Sequence, residues 1–287
     1  MKEKILTLRE MYKEGADDLA RAGIRDAGTD AWYLLEYVTG INRASYYGSP
    51  DRELSREEEE RYRDLLKKRA GHLPLQHITG EQAFMGFTFL VNENVLIPRQ
   101  DTEVLVEEAL THLKSGMEVL DLCTGSGCIL ISLLKLCQEI TGTGSDISEK
   151  ALETAEENGR RLGVEERVKW VKSDLFDRLS GSYDLIVSNP PYIRTEVIEE
   201  LQEEVRLHDP RIALDGREDG LFFYRQIARE SRKYMKQDGW LALEIGHDQA
   251  EAVAGLLDDA GYTQIQVKKD LAGLDRVVTG RYNKNCA

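Results

Sequence analysis

No stretch of this chain reaches the roughly 18 uninterrupted apolar residues that a bilayer-crossing helix needs. The opening "MKEKILTLREMYKEG" is charged and lacks the apolar core of a secretory signal. The expectation is therefore a cytoplasmic protein with no membrane partner. Positive charge is also in short supply: 38 Lys and Arg against 52 Asp and Glu give a formal net charge of -14. Proteins that grip a phosphate backbone draw affinity from clustered Lys and Arg, so no direct nucleic-acid substrate is expected. Arg225, Arg229, Arg232 and Lys233 form a local basic cluster whose spacing suits the solvated face of a helix. Cysteine is sparse, and Cys123, Cys128, Cys137 and Cys286 show neither metal-type pairing nor the density of a disulfide scaffold. His72, His77, His112, His208 and His247 are scattered without ligand spacing, so no metal is expected. Proline is scarce as well, six in the chain, yet two stand together at Pro190-Pro191 and mark a stiff point in the backbone.

At 287 residues, with 41% hydrophobic and 31% charged residues, the chain can bury a sizeable core and reads as a globular protein of two unequal parts. Residues 1–72 carry apolar positions at helical spacing (Ile5, Leu8, Met11, Tyr12; then Trp32, Leu35, Val38), which predicts a small helical bundle. Ser55 followed by Glu58 is a capping box, opening a charged helix that ends near Gly71. Residues 73–98 change to aromatic and β-branched runs, Phe87 to Val91 and Val95 to Ile97, separated by "NEN", which predicts a β-hairpin joining the two parts. From 99 to 287 strand, loop and helix alternate, the signature of a doubly wound α/β sheet. A final pair of strands is expected around Ile265 and Val277, and an acidic helix around "VIEELQEEV" in an insertion from Arg194 to Gly220.

"EVLDLCTGSGCILI", residues 118–131, places a glycine-rich turn between a buried strand and a helix. Ligands of such sheets bind outside the carboxyl ends of the strands, and Gly125 and Gly127 let the backbone approach one closely. The dinucleotide fingerprint needs a small residue three after Gly127, where this chain has Leu130. Asp121, an acid expected at the mouth, suits a cationic ligand better than a pyrophosphate. The reading is S-adenosyl-L-methionine, held by Asp121, Cys123, Thr124, Gly125, Ser126 and Gly127. Asp146 ends the next strand at the offset where a carboxylate accepts from ribose hydroxyls. Asp174 and Leu175 end the third, placed to meet an adenine amino group and ring face. The fourth strand, "YDLIVS", runs into Asn189-Pro190-Pro191-Tyr192.

These segments, "DLCTGSG", "SDIS", "SDLF" and "SNPPYI", resemble the class I S-adenosylmethionine-dependent amino-methyltransferases. With "PLQHITGEQAFMGFTFLVNENVLIPRQDTEVLVE", "RIALDGREDGL", "LALEIGHDQ" and "DLAGLDRVVTGR", the chain resembles the release factor glutamine methyltransferase family along nearly its whole length. The resemblance implies a seven-stranded methyltransferase sheet, an N-terminal helical domain that docks the substrate, and peptide chain release factors as partners. It further implies methylation of the side-chain amide of the glutamine in a Gly-Gly-Gln motif. Asn189, Pro190, Pro191 and Tyr192 would form the catalytic segment, Asn189 also facing the cofactor. Asn189 and the Pro190 carbonyl would accept the two amide hydrogens, with the Tyr192 ring packed on the amide plane. Where relatives often have glycine this chain has Cys123, and Gln100-Asp101 and Asp209-Pro210 also depart from the usual pattern but keep an acid, so altered contacts without loss of activity are expected; Leu274, where a polar or charged residue is frequent, departs as well, with no reading attached. The competing readings are methylation of an exocyclic base amine, which uses the same tetrapeptide on a flipped base, and a noncatalytic nucleoside-binding protein.

Overall fold

The computed structural model describes residues 6–283, so the expectations placed on Ile5 and Cys286 lie outside the described residues. The chain divides into two compact units at Gly80/Glu81.

The first unit contains α1 (Leu8–Arg21), α2 (Ala27–Thr39), α3 (Arg43–Gly48), α4 (Arg56–Ala70) and α5 (Leu75–Thr79). The predicted capping box is present: the Ser55 side chain accepts from the Glu58 amide, and the Glu58 carboxylate accepts from the Ser55 amide. Thr7 and Glu10 repeat the device at α1. The spaced apolar residues converge on one core that includes Leu8, Met11, Trp32, Leu35, Tyr62 and Leu66. A buried ion pair lies in this unit, Arg69 Nε to Asp30 Oδ2 at 2.7 Å. Removing one partner of a buried pair strands the other charge. Asp30→Ala is therefore expected to cost about 3–5 kcal/mol, read as a lowered denaturation midpoint.

The second unit begins with a hairpin, β1 (Glu81–Phe84) and β2 (Phe87–Leu90), paired Phe84 with Phe87. The turn is thus Met85-Gly86 and not the Asn92-Glu93-Asn94 that the sequence suggested. Met85 and Gly86 both have positive φ, 50° and 77°, as a two-residue hairpin turn requires. Asn92 instead closes a local turn, its Oδ1 accepting from the Asn94 amide at 2.9 Å. The asparagines gave a turn signal that leads into no second strand; methionine at the true turn gave none.

Next come α6 (Glu103–His112), β3 (Glu118–Leu122), α7 (Cys128–Leu136), β4 (Thr141–Asp146), α8 (Glu149–Arg161), β5 (Val168–Lys172) and β6 (Tyr183–Ser188). The chain ends with α9 (Glu203–His208), α10 (Arg211–Leu214), α11 (Phe222–Glu230), β7 (Met235–Glu244), α12 (Ala250–Asp259), β8 (Tyr262–Lys269) and β9 (Asp275–Tyr282). The seven-stranded sheet has the order β5-β4-β3-β6-β7-β9-β8, parallel from β5 to β7 and antiparallel on both sides of β9.

Strand alternation splits the sheet's apolar residues between two cores. Leu120, Leu122, Ile186, Leu241 and Leu243 meet Tyr224 and Ile227 of α11 and Val253 and Leu257 of α12. Val119, Leu185, Val187 and Ala242 meet Leu105 and Val106 of α6 and Ile129 and Leu133 of α7. Helices cover both faces, as a doubly wound sheet requires. The chain passes outward from β3 to β4 and β5, then returns to β6 on the other side of β3. The crevice at that reversal lies at the carboxyl ends of β3 and β6, where such sheets bind ligands.

The insertion does not form the single acidic helix expected around "VIEELQEEV". A 3-10 turn, Thr195–Glu200, stops at Leu201, and α9 starts afresh at Glu203. A continuous helix would stack Glu199 on Glu203 and Glu200 on Glu204, like charges at i,i+4. The break separates them and leaves Glu203 and Glu204 in a first turn, where the helix dipole favours acids. Of the basic cluster, Arg225 pairs with Asp219, Arg229 and Lys233 both reach Glu230, and Arg232 lies over the Tyr282 ring. Among the described residues no helix is long and apolar enough to cross a membrane.

Candidate active site

In the register of β3 with β6, Leu122 lies opposite Ser188, so the two strands deliver Cys123 and Asn189 side by side. The Ser188 hydroxyl donates to the Leu122 carbonyl at 2.8 Å and closes the gap beneath them. A cavity of about 350 Å³ opens above this point. Cys123, Thr124, Gly125, Ser126, Asp146, Asp174, Leu175, Asn189 and Pro191 all line it. That volume falls in the range of small-molecule sites, about 300–1,000 Å³.

The glycine-rich turn is held from three sides. The Thr124 amide donates to the Ser145 carbonyl at 3.0 Å, the Gly125 amide to Asp146 Oδ2 at 3.0 Å, and Asn158 Nδ2 to the Ser126 carbonyl at 2.9 Å. Asn158, fully buried, also exchanges hydrogen bonds with both backbone groups of Leu90 and so fastens β2 to the same turn. Asp146 Oδ1 accepts from the Ser148 amide at 2.9 Å, while Ser148 itself caps α8. Burial raises the Asp146 carboxyl above its ordinary pKa, and the Ser148 and Gly125 amides act against that rise. Asp174 is exposed along the cavity, and Leu175 is buried beside it with φ of 42°.

Four of the expected site residues do not line the cavity. Asp121 is not at the mouth: it is fully buried under the turn, where its Oδ2 accepts from the Thr124 hydroxyl at 2.6 Å. Alternation along β3 turns it towards the α7 side, and burial pushes its carboxyl up to about 7. That hydrogen bond ties Thr124 to the end of β3. Gly127 caps α7 with φ of 78°, and a Cβ there would stand 2.9 Å from Ile131 and 3.0 Å from Trp170, so it serves packing of the turn. Pro190 is buried outside the lining. The Tyr192 ring packs, partly buried, against the core on the α11/α12 side and is outside the cavity lining. Burial first, then the nearby Glu244 charge, push its hydroxyl up to about 12.

The structure adds residues for which the sequence gave motifs without roles. Asn189 Nδ2 donates to Thr102 Oγ1 at 3.3 Å, and Thr102 also lines the cavity. Gln249 Nε2 donates to the Tyr192 carbonyl at 3.1 Å and to the Gly220 carbonyl at 3.3 Å. Ile193 and the Gly216 to Leu214 segment exchange backbone hydrogen bonds of 2.8 and 3.0 Å. "RIALDGREDGL" and "LALEIGHDQ" are therefore the two braces of the Asn189 to Tyr192 segment. The insertion also supplies Pro210, Ile212, Ala213 and Arg217 to the cavity wall.

Three departures from the usual family pattern also find places. Cys123 adopts φ of 57°, a left-handed conformation that favours glycine. Asp101 pairs with Arg276 at 3.2 Å, and buried Asp209 pairs with Arg99. The Leu274 side chain is half-exposed, and nothing in the structure explains it.

Residues 10–80 match the PrmC N-terminal domain family, and residues 100–206 match the methyltransferase small domain family. Over 281 residues the chain is 43% identical to the release factor glutamine methyltransferase of Caulobacter vibrioides, covering 97% of each chain. The chain belongs to the release factor glutamine methyltransferase family. The enzyme of that name from Agrobacterium fabrum is 40% identical over 269 residues, covering 92% of this chain and 93% of its own. A methyltransferase from Pyrococcus furiosus has the same fold, with a TM-score of 0.52 at 15% identity, over 68% of this chain and 88% of that one. This methyltransferase thus takes S-adenosylmethionine as its methyl donor.

The cavity fits that donor. It offers carboxylates to a cationic ligand at Asp146 and Asp174, an apolar wall at Ile147 and Leu175, and a buried, unpartnered hydroxyl at Ser126. Among the described residues no group of three or more His, Cys, Asp or Glu is arranged to hold a metal ion.

Proposed function

We propose that the protein methylates the side-chain amide nitrogen of the glutamine in the Gly-Gly-Gln motif of peptide chain release factors, in the cytoplasm. The observation that carries this reading is the adjacency of Asn189 to the glycine-rich turn at the sheet's reversal point, in a chain whose full-length relatives bear that name. S-adenosylmethionine, when bound, supplies an electrophilic methyl group on a sulfonium. Asp146 accepts from the ribose hydroxyls, Asp174 from the adenine amino group, and Leu175 covers the ring. Backbone groups of Cys123, Thr124, Gly125 and Ser126 follow the remainder, with Asp121 and Gly127 holding the turn in shape.

An amide nitrogen is a weak nucleophile because its lone pair is delocalised into the carbonyl, and the cavity wall presents no strong base to deprotonate it. Catalysis then rests on orientation, worth up to about 7–11 kcal/mol of barrier. Asn189 Oδ1 accepts one amide hydrogen. The Pro190 carbonyl, at the peptide joined to cavity-lining Pro191, accepts the other. The adjacent prolines fix φ and keep both acceptors aimed. The helical unit would dock the protein substrate. Its surface supports this with exposed Tyr33, Tyr37 and Tyr47, Arg61 over the Tyr37 ring and Arg43 over Trp32, residue types enriched in interfaces.

Asp146→Ala is expected to weaken cofactor binding by roughly 10²-fold, about 2–3 kcal/mol, the worth of a hydrogen bond to a charged group, as titration calorimetry would read. The activity itself is tested by supplying labelled S-adenosylmethionine with either a release factor or total RNA. Label on the glutamine is the expected result; label on RNA alone would replace this reading with base-amine methylation.

A further inference from the structure

Glu244 ends β7 beside Asn189, outside the cavity lining. It is only 2% exposed, and its Oε2 has no hydrogen-bond partner. A buried acceptor left open is costly, so its surroundings bear on the site. Burial apart, the Thr102 hydroxyl is the strongest influence on this carboxyl and favours its charged form, and the Asn189 side-chain amide acts more weakly in the same direction. Thr102 Oγ1 meanwhile accepts from Asn189 Nδ2 at 3.3 Å. A hydroxyl has one proton to give. If it gives that proton to Glu244, it can only accept on the side facing Asn189, and the Asn189 amide must then turn Nδ2 inward and Oδ1 outward.

That orientation decides the chemistry. With Oδ1 facing the cavity, Asn189 accepts from the substrate NH2; flipped by a half-turn, it would present its own NH2 to another. We propose that Glu244 is a positioning residue that, through the Thr102 hydroxyl, fixes the Asn189 side-chain amide with Oδ1 towards the substrate nitrogen. The proposal rests on the amide-methylation reading above for the identity of that nitrogen.

The other groups facing Glu244 leave it this task. Arg276 on β9 acts on Glu244 through its charge, but its guanidinium pairs with Asp270 at 3.0 Å and Asp101 at 3.2 Å. Asp101, in the turn before α6, adds negative charge. Tyr224 of α11 donates its hydroxyl to the Glu244 backbone carbonyl and not to the carboxylate. Tyr192 and Cys128 are the remaining titratable neighbours, each held above its ordinary range by burial, so both stay neutral. Burial dominates at Glu244 itself and pushes its carboxyl up to about 7. The carboxylate that orients the relay is therefore present above that pH and is lost as pH falls through it.

The test compares Glu244→Gln, Thr102→Val and Thr102→Ser in the full chain. Glu244→Gln and Thr102→Val should each lower kcat roughly 10²-fold, as loss of one aimed polar group does in other enzymes. Cofactor affinity should stay within about twofold, and the double variant should be no slower than the slower single one. Thr102→Ser should recover most of the turnover lost in Thr102→Val. The wild-type kcat should fall as pH drops through about 7, and the fall should be shallower in Glu244→Gln, where Asp121, raised to the same range, still titrates beside the turn. A second readout needs no substrate: the 15N signal of the Asn189 side-chain amide, assigned by its absence in Asn189→Ala, should titrate with the same midpoint in the wild type and stay flat in Glu244→Gln. Near-normal kcat in both Glu244→Gln and Thr102→Val, or an Asn189 signal that titrates unchanged in Glu244→Gln, overturns the relay. Should Glu244→Gln fail to fold, the Thr102→Val and Thr102→Ser pair decides the matter alone. A wild type that leaves release factor unmethylated overturns the substrate reading, while the Asn189 signal still judges the relay.

Discussion

Asn189→Ala should leave a folded protein that binds S-adenosylmethionine and transfers its methyl group slower by two to three orders of magnitude, the range roughly expected when one aimed polar group is removed from a reacting centre. The side chain donates to Thr102 at 3.3 Å and is only partly buried. Truncation thus costs about 1 kcal/mol of stability, well within reach of a sheet core of this size. The turnover loss has a different origin. Without Oδ1 the substrate NH2 has lost an acceptor, its lone pair is free to swing away from the methyl group, and the orientation on which catalysis depends is gone. Single-turnover kinetics with saturating cofactor isolates this step. Near-normal turnover would remove Asn189 from the reaction altogether.

The second large effect falls on a residue that touches no substrate. Gly220 has φ of 73°, and a Cβ built there would lie 2.4 Å from the Tyr192 carbonyl oxygen and 2.8 Å from Gln249 Nε2. Those two atoms are hydrogen-bonded to each other at 3.1 Å. Gly220→Ala must push apart the brace that fixes the end of the Asn189 to Tyr192 segment. The left-handed conformation and the clash together should cost about 2–4 kcal/mol of stability. Because a displacement near 1 Å can cost about 10²-fold in rate, kcat should fall far more than cofactor affinity, which is governed by the turn after β3. Denaturant titration and kinetics on the same preparation check both parts. A stable variant with normal kcat would show that the insertion does not brace the segment.

Much of this molecule was legible beforehand for local reasons. The Ser55 and Glu58 capping box needs only a three-residue spacing. The strand, turn, helix rhythm from Glu118 to Leu136 is set by a buried apolar run and by glycines at positive φ. Asp146 and Asn189 could be singled out because strand ends are where a doubly wound sheet presents its ligands. The hairpin turn was misplaced because local chemistry pointed the wrong way: Asn92 to Asn94 makes a turn without a hairpin, and Met85 makes a hairpin turn without a signal.

Asp121 and Tyr192 show the other limit. Both residue types suit a site and both sit in site motifs, yet strand alternation buries Asp121 under the glycine-rich turn and the Tyr192 ring packs against the core on the α11/α12 side, so neither is in the cavity lining. The sequence by itself determined which strand ends border the cavity, because periodicity and turn residues act over a few positions. Only the tertiary structure decided that Thr102, Gly220, Glu244 and Gln249 converge on one tetrapeptide. They lie as much as 147 residues apart, from 102 to 249, and the crossings of the sheet, which no local pattern encodes, are what bring them to it.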